Sequence, residues 1–168
     1  LLLFGNKDVQ ASLLRLCQRT EAQHSHTTEM FFLVLQRHFV SAKECSRSGR
    51  ARACGGKRQD GREEVEVIIP VLEFLQSAME GHYRGMQNQI REQPSLHADV
   101  NLLDEALELI GELSEPHRLR LLKQRMRDDE KGKDLDVFIS VLRFATETMQ
   151  GPCRKNQKHF IGKSQALS

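Results

Sequence analysis

Apolar residues recur at three- and four-residue spacing along most of the chain, the period of a helix that buries one face. Val9, Leu13, Leu16 and Cys17 share one face of a first predicted helix, with Asn6 placed to cap its free N–H groups. Phe32, Leu35, Phe39 and Ala42 predict a second helix, opened by Thr27 or Thr28. The next stretch reads two ways: Val65, Val67 and Ile69 alternate as in a strand, while Val65, Ile68, Ile69, Leu72, Leu75 and Met79 keep helical period. The longer pattern predicts a helix. Pro70 has no N–H to donate, so the regular part is expected to begin within a turn of it. Tyr83, Met86 and Ile90 carry the apolar face beyond Gly81, and Pro94 closes the segment. Leu103, Ala106, Leu107, Ile110 and Leu113 predict a helix introduced by Asp99, and Leu119, Leu122 and Met126 a shorter one starting at Pro116. Phe138, Val141, Leu142, Ala145 and Met149 mark the last long helix, stopped by Gly151-Pro152, after which Cys153 to Phe160 opens one more.

These helices, with no hairpin signal between them, predict an all-α fold of stacked antiparallel helices, an armadillo-like or irregular solenoid piece without a clean repeat period. One segment breaks the pattern. From Ser46 to Arg62 the chain is rich in Gly, Ser and Arg and has no large apolar residue, so it cannot offset its ordering entropy and is expected to be a disordered basic insertion. The expected organisation is therefore a leading helical pair at 1–45, the flexible insertion at 46–62, a helical domain at 63–162 and a polar tail at 163–168. The 168 residues include eight Phe, one Tyr and no Trp, so Leu, Val and Ile must fill the core. No run approaches the roughly 20 apolar residues of a membrane span. The chain opens on Leu1-Leu2-Leu3-Phe4 rather than Met and closes on a polar tail, which suggests a piece of something longer.

Charge adds one point. The net charge of +2 is set by the insertion, where Arg47, Arg50, Arg52, Lys57, Arg58 and Arg62 face only Asp60. The remainder is mildly acidic and is no nucleic-acid surface, and the insertion lacks the interleaved aromatics that would hold bases. Ser46 and Ser48, beside arginines, are candidates for phosphorylation, which would locally cancel positive charge. Cys17, Cys45, Cys54 and Cys153 are dispersed and form no Cys-x-x-Cys pair, which fits reduced thiols. Gly162-Lys163-Ser164 resembles the end of a phosphate loop, but the first Gly of that motif would fall at Gln157. His24, His26, Cys45 and Cys54 fit no zinc spacing. Cys153 lies near Lys155, Lys158 and His159, a setting for a reactive thiol, but no base with its own orienting group can be named. Glu63, Glu64, Asp128, Asp129 and Glu130 are consecutive charges of the kind found on solvated faces. No catalytic constellation assembles, and no cofactor or metal is implied.

Four blocks give the chain a resemblance. The first is Gly5-Asn6-Lys7-Asp8-Val9-Gln10 after a run of leucines, and the second is Phe31-Phe32-Leu33-Val34-Leu35 shortly before the polar insertion. The third is Pro70-Val71-Leu72-Glu73-Phe74-Leu75-Gln76, then Gly81-His82, then Gln87-Asn88-Gln89-Ile90-Arg91. The fourth is Thr146-Glu147-Thr148-Met149-Gln150-Gly151-Pro152-Cys153 followed by Asn156-Gln157. In this order they resemble G-N-x-x-V-Q, a run ending in E-G-H-N with Q-N-x-x-R, and T-E-x-x-Q-G-P-C-x-x-N-Q of the RIH-associated domain of intracellular calcium-release channels, the inositol trisphosphate and ryanodine receptors. The charged stretch from Ser114 to Lys133 departs from the Gly- and Leu-rich sequence of inositol trisphosphate receptors and leaves the subfamily open.

That resemblance implies a connector segment on the cytosolic face of the endoplasmic or sarcoplasmic reticulum, coupling ligand binding to pore gating. Its partners would be other domains of the same polypeptide and neighbouring subunits of a homotetramer, with no nucleic acid and no membrane insertion by this segment. No ligand-contact or pore residue is carried over. The matched polar residues, Gln87, Asn88 and Arg91 above all, suit either a buried hydrogen-bond bracket between helices or an interdomain contact. The competing reading is a free-standing helical scaffold without channel activity.

Overall fold

The computed structural model describes residues 6–18, 22–48, 60–94, 100–127 and 133–166. Among them are eight helices and no strand: α1 (Lys7–Cys17), α2 (Ala22–Ser48), α3 (Asp60–Met79), α4 (Arg84–Arg91), α5 (Leu102–Ser114), α6 (Pro116–Arg127), α7 (Lys133–Met149) and α8 (Arg154–Ala166). The all-α expectation is met.

The core lies where α3 packs against α2 and α7, and α5 packs against α2 and α7. The expected face of α2 is the buried one, with Phe32, Leu35, Phe39 and Ala42 all inside. Phe39 meets Phe144 of α7 with ring centroids 5.9 Å apart, and Phe31 meets Phe74 of α3 edge-on at 6.4 Å. Ile68, Leu72, Leu75 and Met79 form the inward face of α3, and Ala106, Leu109 and Leu113 that of α5. These residues, together with Cys17 of α1, make one apolar cluster, so the leading pair of helices shares its core with the rest of the chain.

Several local expectations are corrected. Pro70 does not start α3 but sits inside it, ten residues from its first residue, on the exposed side. The lost N–H removes one intrahelical bond there, and the apolar face from Ile68 to Met79 runs past it without a break. Neither Thr27 nor Thr28 opens α2, which begins at Ala22. Thr28 instead donates its hydroxyl to the Leu16 carbonyl at 3.2 Å. The cap of α5 is Asn101, whose Oδ1 accepts from the Asp104 N–H at 3.1 Å, while Asp99 lies outside the described residues. On α1, Gln10 and Cys17 are buried and Leu16 is 54% exposed. On α7 the inward set is Val137, Val141, Phe144, Ala145 and Thr148, which leaves Leu142 exposed.

The boundaries of the basic insertion also move. Helix α2 continues through Ser48 and α3 begins at Asp60, so both ends of the 46–62 span are helical. Residues 49–59 lie outside the described residues. Pro116 opens α6 as expected, and Leu119 there is half-buried.

Polar contacts tie α5 to α2. Lys43 of α2, itself buried, donates to Glu105 at 2.6 Å and Glu108 at 2.7 Å, and Arg47 donates to Glu112. Burial alone would push the Lys43 ammonium down. The bonds and charges of the two glutamates outweigh it and hold the group above its ordinary value.

Candidate functional site

The last carbonyls of a helix have no partner within it and must find donors elsewhere. At the end of α7 every one of them does. The Gln150 N–H bonds the Thr146 carbonyl. Gln87 of α4, fully buried, donates its Nε2 to the carbonyls of Glu147 at 2.8 Å and Gln150 at 2.9 Å. Asn156 of α8, also fully buried, donates its Nδ2 to the Thr148 carbonyl at 2.9 Å and to the Gln87 carbonyl at 2.8 Å. Gln157 donates to the carbonyls of Met149 and Gly151, both at 2.9 Å. Three amide side chains from two other helices thus close the C-terminus of α7. Pro152 keeps that helix from continuing.

Arg91 completes the bracket. Its Nε donates to Asn156 Oδ1 at 2.8 Å while its two terminal nitrogens grip Glu92 at 2.7 Å each. The Arg91 bond holds the Glu92 carboxyl below the usual carboxylate range. Arg84, at the start of α4, reaches the Pro152 carbonyl at 3.2 Å. The Cys153 thiol is buried and points to Asn88 Oδ1 at 3.7 Å.

The α3–α4 turn closes onto the same place. Gly81 and His82 both take left-handed backbone angles, φ 74° and 62°, and Gly151 in the α7–α8 turn takes φ 71°. A Cβ on Gly151 would lie 2.9 Å from Cβ and Cγ of His82, so only glycine lets the two turns touch. Gln10 of α1 caps α3 as the other amides cap α7, donating its Nε2 to the Glu80 carbonyl at 2.8 Å.

Two carboxylates flank these turns. Glu80 Oε2 and Glu147 Oε1 are buried without a hydrogen-bond partner, as is Gln87 Oε1. Burial raises the Glu147 carboxyl above its ordinary pKa and the Glu80 charge adds to this, against the opposing effect of His82. Beside them an open groove of about 370 Å³ runs between Gln76 of α3 and Ile139, Leu142 and Thr146 of α7. The pair has acceptor capacity for a proton, a donor or a cation. By itself it makes no closed metal shell: among the described residues no three His, Cys, Asp or Glu side chains converge on a metal position.

Residues 62–168 match the family described as RyR and IP3R Homology associated. The chain belongs to this family. No solved structure matches it. The family is one of ryanodine- and inositol trisphosphate-receptor channels. No helix among the described residues is long and apolar enough to cross a membrane.

In this RyR and IP3R Homology associated chain, most of the motif residues singled out from sequence gather at the joint: Gln87, Asn88, Arg91, Gln150, Gly151, Pro152, Cys153, Asn156, Gln157, Gly81 and His82. Gln10 reaches it from α1, and Gln76 lies in the adjoining groove. Asn6 caps α1, its Oδ1 accepting from the N–H groups of Asp8 and Val9 at 3.1 and 3.3 Å. Val9 is half-buried, Leu75 is in the core, and Phe74 packs at its edge. Sequence reasoning missed that the Glu80 charge bears on Glu147, since 67 residues separate them.

The remaining candidates separate. Two of the basic side chains expected near Cys153 turn elsewhere: Lys155 toward Glu92 at 3.6 Å and His159 toward Asp104 at 2.8 Å. Gly162 and Lys163 lie on α8, where Lys163 pairs with Asp104, so no phosphate loop forms. Ser46 accepts a bond from the Arg118 guanidinium. Cys45 is half-buried and Cys17 buried, its thiol pushed up to about 11 by burial. Cys54, Asp128, Asp129 and Glu130 lie outside the described residues, as do the side chains of His24, His26, Ser48, Glu63, Glu64, Leu122 and Met126.

Proposed function

We propose that this chain is a connector segment of a ligand-gated intracellular calcium-release channel, lying on the cytosolic side and passing ligand-driven motion toward the pore. Family membership supports the channel setting. The observation that carries the mechanical role is the closure of α7 by Gln87, Asn156 and Gln157. A helix end whose last carbonyls, from Glu147 to Met149, accept directional bonds from two other helices does not slide or swivel by itself. A displacement of α4 is therefore handed to α7 and α8 rather than absorbed between them. The orphaned oxygens of Glu80 and Glu147 lie at this joint, so a donor or cation that completes them acts where the three helices are tied.

The test is made in the full-length tetrameric channel by comparing parent with Asn156→Leu, reading ligand binding and ligand-evoked calcium release separately. The expected result is retained ligand affinity with release reduced about tenfold or more, the signature of lost coupling. Release with an unchanged ligand dependence would show that the joint carries no signal. A scaffold without channel activity predicts no effect on release under any substitution here.

A further inference from the structure

The outer strip of α8 faces away from the three bracketing amides, and of its residues Lys155 reaches Glu92 at 3.6 Å. Arg154, Lys155, Lys158, Ile161, Gly162 and Gln165 are all exposed and fall within one third of the helix circumference. Helix α8 contains no acidic residue, and Ile161 is 55% exposed, more than any other large apolar side chain described. Gly162 is stranger still. It lies inside a helix, where glycine is the poorest former after proline, and a Cβ there would meet nothing within 4 Å. Neither backbone angle nor packing in this chain requires it. A glycine beside an exposed aliphatic residue on a cationic strip is what close approach of another helix needs.

The chain shows the complementary chemistry on the other side of the same helix. There His159 and Lys163 of α8 meet α5 at Asp104, with Lys163 also reaching Glu108 at 3.9 Å, and Asp104, Glu105, Glu108 and Glu112 make α5 an acidic helix. We infer that the outer strip of α8 docks a second acidic amphipathic helix from a protein partner, with its carboxylates on Arg154, Lys155 and Lys158 and an aliphatic seam over Ile161 and Gly162. A lipid surface fits less well, because one exposed isoleucine on a 13-residue helix gives little apolar anchorage. A nucleic acid fits less well because no fully exposed aromatic lies on the strip.

The test uses the 168-residue chain and a fluorescein-labelled 20-residue peptide of Glu, Ala and Leu patterned as an amphipathic helix, read by anisotropy at low and high salt. Saturable, salt-sensitive binding is expected, weakened about tenfold or more by Lys158→Glu and by Gly162→Gln. Gly162→Gln keeps the charge and replaces a poor helix former by a better one, so its Tm should equal or exceed the parent's while binding falls. That combination excludes misfolding as the cause. No saturable binding overturns the inference, as does equal binding by Gly162→Gln. Tighter binding of the parent to phosphatidylserine vesicles or to single-stranded RNA than to the peptide overturns it too.

Discussion

The apolar centre formed by α2, α3, α5 and α7 and the polar joint of α4, α7 and α8 hold the chain together by different physics. In the centre, Phe32, Phe39, Phe144, Leu72 and Leu75 are buried to within a few per cent, and their contribution scales with area removed from water. Such contacts have no direction, so similar volumes can replace one another at modest cost. At the joint, Asn156 uses both hydrogens of its amide and its oxygen, each on a named partner. No other residue type presents that set at that length. The centre makes the segment stable; the joint determines how one helix is held to the next.

Substitutions sharpen the contrast, beginning with the largest effect. Phe39→Ala removes a ring from the centre and is expected to cost about 3–5 kcal/mol in chemical denaturation, whereas Phe39→Leu should cost far less. Asn156→Leu keeps the branched four-atom side-chain skeleton yet removes the donor to the carbonyls of Gln87 and Thr148 and the acceptor of Arg91 Nε. It is expected to cost about 2–4 kcal/mol, and rescue by any apolar residue of matched size would break the comparison. Gly151→Ala forces a Cβ into left-handed backbone and against His82. About 1–2 kcal/mol is expected from the backbone alone, with more from the contact, measured as a fall in Tm.

The smallest effect is a pH dependence. Burial raises the folded-state pKa of Glu147 above its unfolded value, so the fold binds that proton more tightly than the unfolded chain does. The stabilisation is fully present below the unfolded pKa and is lost as pH rises through the raised one. Glu147→Gln removes this dependence. Its Tm advantage over the parent should therefore grow as pH rises from acid toward neutrality, and a gap that stays flat with pH would contradict the assignment.

The centre was easier to read in the sequence than the joint. Phe32, Leu35, Phe39 and Ala42 were legible because helical spacing reports burial directly. The inward face of α7 was only partly so, since Leu142 and Phe144 are both apolar and the alternatives differ by a small rotation of the helix. Pro70 misled because a missing N–H is cheap to tolerate on an exposed helix side, and the apolar pattern around it decides. The joint residues stood out only as motif letters; nothing in Gln87 or Asn156 says which carbonyls they will meet, three of the four at 60 or more residues along the chain. A similar separation hid the influence of Glu80 on Glu147.

Site-resolved amide hydrogen exchange of the chain and of Asn156→Leu tests the central claim most directly. If the bracket is the attachment of α8, amides of α8 should open in the parent only at free energies approaching global unfolding, and in the variant should open locally while α3, α5 and α7 keep their protection. Uniform loss of protection across all helices in the variant, or unchanged protection of α8, would contradict the account.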